Sequence, residues 1–126
     1  MLTRADLVAF APSTDLDRSR GFYQRVLGLF LRTEDELACV FDAHGTTLRV
    51  TRVPALTPAP FTILGWTVPD IAQSVAGLRA QEVEFLHFPG MGQDPSGVWT
   101  APSGAKVAWF HDPDGNVLSL TQEAAG

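Results

Sequence analysis

Leu7-Val8-Ala9-Phe10-Ala11-Pro12-Ser13-Thr14-Asp15 and Phe61-Thr62-Ile63-Leu64-Gly65-Trp66-Thr67-Val68-Pro69-Asp70 obey one pattern. In each, an apolar run short enough for a strand is stopped by proline, and an aspartate suited to capping a helix follows. Outward from Asp15, the residues Leu16, Phe22, Tyr23, Val26 and Leu27 fall on one helical face. Gly28 then suits the position just past a helix end. Outward from Asp70, Gln73 stands at capping-box spacing, and Ile71, Val75 and Leu78 recur at helical intervals.

Three strand candidates follow each helix. In the first copy they are Leu29–Thr33, Glu36–Phe41 and Thr46–Val53, with Asp42-Ala43-His44-Gly45 as a hairpin turn between the last two. In the second they are Gly97–Ala101, Ala105–His111 and Asn116–Thr121, the last pair joined by Asp112-Pro113-Asp114-Gly115. The expected fold is α+β: two tandem βαβββ modules within a single domain, residues 1–126. Module 1 covers about 5–53, the Pro-rich linker 54–60, and module 2 about 61–122. Asp70 follows Asp15 by 55 residues, whereas Gly115 follows Gly45 by 70, so the second copy carries an insertion of 15. It falls at Phe88-Pro89-Gly90-Met91-Gly92-Gln93-Asp94-Pro95-Ser96-Gly97, a loop long enough to suggest a functional role.

Composition narrows the function classes. Hydrophobic residues make up 45% and charged residues 18% of the 126, a foldable globular balance. The net charge is −5 and Lys106 is the only lysine, so the basic face that nucleic acid requires is missing. No apolar run is long enough for a membrane span or a signal-peptide core. A single cysteine, Cys39, excludes an internal disulfide and suits a reducing cytoplasm. It lies in an apolar strand candidate without a cationic neighbour in sequence, which favours core packing over reactivity.

Asp15-Leu16, Ser19, Phe22-Tyr23 and Leu27-Gly28-Leu29, with Asp70-Ile71 and Asp112-Pro113-Asp114-Gly115-Asn116, resemble the signatures of the vicinal oxygen chelate superfamily. This is the glyoxalase, bleomycin-resistance and extradiol-dioxygenase group, and the likeness covers nearly the whole chain. It implies a glyoxalase-like domain in which paired modules curve around a cavity, and it implies a homodimer. In metal-dependent members, ligands come from the first and fourth strands of each module. Carried onto this sequence, those positions are Val8, Arg49, Ile63 and Ser119. Two are apolar, one is a weak hydroxyl and one is a permanent cation, so neither a metal nor another cofactor is expected.

Strand alternation adds Phe10 to the face of Val8, Gly65 and Thr67 to that of Ile63, Thr47 and Thr51 to that of Arg49, and Val117 and Thr121 to that of Ser119. Such a lining suits a small organic molecule. Arg49 either holds a carboxylate or phosphate through its donor fork, pairs with Glu36 or Asp42, or points to solvent. Trp99 follows the long loop and is read as ligand platform or as core. Met91 and Phe88 either cover a ligand or pack the loop onto the sheet. His87, at the start of the loop, is the candidate proton-transferring group. The candidate ligand-binding set is Val8, Phe10, Thr47, Arg49, Ile63, His87, Met91, Trp99 and Ser119, with no catalytic residue assigned.

The function expected is metal-independent binding of a small molecule by a cytoplasmic homodimer that engages neither nucleic acid nor membrane. The alternative is a lyase, isomerase or dioxygenase-like enzyme with non-standard active-site residues.

Overall fold

The computed structural model describes residues 1–125, in two compact units, the first Met1–Pro58 and the second beginning at Ala59. The first contains β1 (Val8–Ser13), α1 (Leu16–Gly21), a π-helical turn (Phe22–Val26), β2 (Phe30–Glu34), β3 (Ala38–Ala43) and β4 (Thr46–Arg52). Its four strands form one sheet in the order β1-β4-β3-β2, parallel between β1 and β4 and otherwise antiparallel.

Asp15 caps α1 by accepting the Arg18 N–H at 3.1 Å, as its side-chain type predicts. The helix is fastened to β1 by a buried 2.6 Å hydrogen bond between the Ser13 and Ser19 hydroxyls. Beyond Gly21 it widens into the π turn, which the sequence reads as ordinary helix. Within that turn Tyr23 is fully buried, its ring 5.8 Å from that of Phe41. Ala11, Cys39, Phe41, Leu48 and Val50 complete the core beneath the helix. β3 starts at Ala38 rather than Glu36 because the Asp35 carboxylate accepts the Leu37 and Ala38 N–H groups at 2.8 and 3.0 Å and turns the chain there. The β3–β4 hairpin closes on His44 and Gly45, with φ of 52° and 93°, the pair of positive values that a two-residue I′ turn demands.

The second unit contains β5 (Thr62–Thr67), α2 (Ile71–Ala80), β6 (Trp99–Thr100), β7 (Lys106–His111) and β8 (Val117–Gln122). Its sheet order, β5-β8-β7-β6, repeats the first, with β5 parallel to β8. Asp70 caps α2 through the Gln73 N–H at 3.1 Å, and Gln122 adds a bond to Ile71 N–H at 2.9 Å. Ile71 and Val75 face a core of Ala108, Phe110, Leu118 and Leu120. The Asp112–Asn116 segment is a structural turn. The buried Asp112 carboxylate accepts from the Asp114 and Asn116 N–H groups at 2.9 Å and from Asn116 Nδ2 at 2.8 Å. β6 is shorter than Gly97–Ala101, because Gly97 (φ +99°) belongs to the turn before it and Ala101 opens a turn bonded to Gly104 at 2.9 Å.

Candidate functional site

Each unit covers one sheet face with its helix and leaves the other face free of helix, so alternation decides which side chains a ligand can meet. In the first unit Leu48 and Val50 are buried toward α1, which turns Thr47, Arg49 and Thr51 outward. The register sets Val8 against Thr47, Phe10 against Arg49 and Pro12 against Thr51, and on the other flank Asp42, Val40 and Ala38. Phe30 extends the same row opposite Asp42. Val8, Phe10 and Phe30 are 40%, 60% and 70% exposed, a concentration of apolar surface that a solvated β face does not require.

Arg49 is exposed at the centre of this row. Of the partners that the sequence offered it, Asp42 is taken: its carboxylate accepts the Gly45 N–H at 2.9 Å and pairs with Arg32 at 3.3 Å. Arg49 forms no hydrogen bond or salt bridge among the described residues. Its nearest electrostatic influence is on Asp35. The Leu37 and Ala38 amides hold that carboxyl below the ordinary range, and the guanidinium adds a smaller pull the same way. Beside Arg49 on β4, Thr51 Oγ1 is buried and has no hydrogen-bond partner among the described residues.

In the second unit the helix-free face carries Val107, Trp109 and His111 from β7, Val117, Ser119 and Thr121 from β8, and Trp99 opposite Val107. The β5–β8 register departs from simple alternation. An irregularity between Thr62 and Leu64 places an extra residue at Ile63, so Gly65 rather than Leu64 stands opposite Ser119. A Cβ on Gly65 would lie 2.8 Å from Ser119 Oγ, which shows how closely strand and hydroxyl approach. Ser119 itself is only 7% exposed.

Trp109, absent from the sequence-derived candidates, is the hub of an aromatic cluster. The Trp99 ring lies 6.2 Å from it, and the Phe88 ring meets it edge-on at 5.4 Å. Phe88 thus packs against β7, while Met91 is half-buried. The loop is stapled from inside. Gln93 Nε2 donates to the Leu86 and Gly97 carbonyls at 2.8 Å each, and its Oε1 accepts the Phe88 N–H at 2.6 Å. His87 is exposed and lines a depression of about 260 Å³ with Arg79, Glu84, Phe85, Pro95 and Ser96. His111 and Asp42 are two titratable groups on the helix-free faces that lay outside the sequence-derived lining.

Cys39 is buried beneath α1, its Sγ 4.0 Å from the Leu16 carbonyl. Burial, and next the nearby Glu34 charge, push its thiol above the usual value, the opposite of what a nucleophile needs.

The chemistry of the donor set does not fit a divalent cation. Val8 and Ile63 have no donor atom, Arg49 carries a fixed positive charge, and Ser119 offers a neutral hydroxyl. Among the described residues no group of three or more His, Cys, Asp or Glu side chains is placed to hold a metal ion.

The family model for the Glyoxalase/Bleomycin resistance protein/Dioxygenase superfamily matches residues 6–120. The chain belongs to that superfamily. Its vicinal oxygen chelate signatures are therefore family markers, and the two β-α-β-β-β units are the paired modules of the glyoxalase/bleomycin-resistance fold. A bleomycin resistance determinant encoded on the transposon Tn5 superposes with a TM-score of 0.74 at 20% identity, covering 95% of this chain and 98% of that one. Lactoylglutathione lyase from Agrobacterium tumefaciens superposes with a TM-score of 0.73 at 16% identity, covering 94% of this chain and 93% of that one. At these identities the likeness is one of fold. No curated protein matches the sequence.

Proposed function

We propose that this member of the superfamily is a metal-independent binding protein for a small organic molecule. The observation that carries the reading is the helix-free face of the first unit, where exposed Val8, Phe10 and Phe30 share a face with Arg49, which has no salt bridge among the described residues. Sites for organic ligands combine apolar area with a few polar groups that fix orientation, and this face has that composition. The donor set at Val8, Arg49, Ile63 and Ser119 supports independence from metal. Phe10 and Thr47 belong to this surface of the first unit, and Trp99 and Met91 are the proposed ligand contacts of the second unit taken by itself. His87 lies beside the inserted loop and is the proposed polar contact for a ligand there.

A cytoplasmic homodimer is part of the proposal. No helix is long and apolar enough to cross a membrane among the described residues. Leu7, Leu37 and Phe61 are 74%, 66% and 65% exposed, apolar surface that a partner copy would cover.

Native mass spectrometry of tag-free protein, before and after incubation with Zn²⁺, Ni²⁺, Fe²⁺ and Mn²⁺, tests the whole reading. A dimer that retains an organic adduct and takes up no ion is the expected result. One tightly held divalent ion per site overturns metal independence and turns attention to enzyme chemistry.

A further inference from the structure

The helix-free face of the first unit has a charge asymmetry that specifies its ligand more narrowly. The whole chain carries −5, yet this face presents a guanidinium with no salt bridge among the described residues. Asp42, the acidic residue that shares the face, is already neutralised by Arg32 at 3.3 Å. Asp35 is occupied with the Leu37 and Ala38 N–H groups and answers Arg49 only at longer range. Arg49 projects between Phe10 and Val40, its cross-strand neighbours, with Thr47 and Thr51 two residues away on either side along β4. The Phe10 ring is 60% exposed and stacks on no other ring. The face therefore combines a fork of five donors with no acceptor among the described residues to satisfy them, the Thr47 hydroxyl on one side and a bare aromatic plane.

We propose that the ligand is an organic carboxylate on a flat apolar body, with the carboxylate held by Arg49 and the body lying over Phe10 and Val8. This rests on the small-molecule reading above and names the chemical class of that ligand. A guanidinium matches a carboxylate with two parallel hydrogen bonds and repels cations, so charge and shape select the same class. Aromatic bodies gain further from ring–ring contact, which a cation-selective acidic surface would not supply.

Three probes of one shape test it: 2-naphthoate, 2-naphthalenemethanol and 2-naphthylmethylammonium, titrated into the full chain by calorimetry and by amide-shift mapping in NMR. The expected result is 2-naphthoate binding at least about tenfold more tightly than the alcohol, with no ammonium binding and with shifts centred on residues 8–10 and 47–51. Arg49→Ala should erase the preference for the anion, and Arg49→Lys should retain only part of it, since charge remains and the fork is lost. Phe10→Ala should weaken naphthoate and alcohol alike and leave their ratio unchanged. Alcohol or ammonium binding as tight as naphthoate, or an unchanged ratio in Arg49→Ala, overturns the carboxylate inference and leaves the small-molecule reading standing. Failure of all three probes to bind at millimolar concentration overturns both.

Discussion

Gly65 and Ser119 face each other across β5 and β8, and a methyl group at Gly65 would approach the Ser119 hydroxyl oxygen to 2.8 Å. Gly65→Ala should cost about 1 kcal/mol, since crowding outweighs the entropy gained by losing a glycine. The double variant with Ser119→Ala should recover most of that loss, a coupling that denaturant unfolding of the four-member cycle measures. The sequence shows a glycine within a strand but not what it faces, because that depends on the bulge at Ile63. Cys39 follows a similar logic. Its raised thiol pKa means that the folded protein keeps the proton which the unfolded chain releases near its ordinary value. The resulting stabilisation is full below about pH 8.5 and declines as pH rises through the folded value. Iodoacetamide at pH 8 should accordingly label Cys39 slowly in the native protein and rapidly in denaturant, as mass spectrometry would report.

Among the elements, the inserted loop of the second unit separates what spacing reveals from what it hides. The extra 15 residues are countable from Asp15, Gly45, Asp70 and Gly115. Their internal order is not, because it arises from Gln93 and Asp94 reaching backbone groups whose positions depend on the finished loop. Partial desolvation disfavours the Asp94 charge. Hydrogen bonds from the Ser96 hydroxyl and from the Val98, Ser96 and Gly97 amides outweigh it and hold the carboxyl below its usual range. Its contribution is therefore complete above the ordinary carboxylate pKa of about 3.9 and fades as pH falls through the lower folded value. Asp94→Ala removes acceptors for Ser96 N–H, Ser96 O–H and Val98 N–H, and should loosen the loop by about 1–2 kcal/mol. Hydrogen exchange at Val98 would rise several-fold, while the amides of β8 would hold their protection. A loop closed in this way brings Phe88 edge-on against Trp109.

At the scale of the molecule, the charge of −5 and pI near 4.9 predict a solubility minimum close to pH 5, measurable by turbidity across a pH series. Fully buried aromatics anchor each core, Tyr23 and Phe41 in the first unit and Phe110 in the second. Phe110→Ala should cost about 3–5 kcal/mol, which thermal unfolding would register as a large fall in Tm. The β-α-β-β-β order, both helix caps, both hairpin turns and the family itself were determined by the sequence alone. Those features rest on local chemistry: proline stops a strand, aspartate satisfies the first N–H groups of a helix, and period-2 or period-3.6 patterns choose a face. Tertiary structure alone decided the pairing of Arg49 with Phe10, the bulge at Ile63 that sets Gly65 opposite Ser119, the diversion of Asp42 to Arg32 and the gathering of Phe88, Trp99 and Trp109. Each of these depends on which residues distant in the chain become neighbours. Strand register and a single bulge settle that, and both are set by the packing of a whole sheet against its helix.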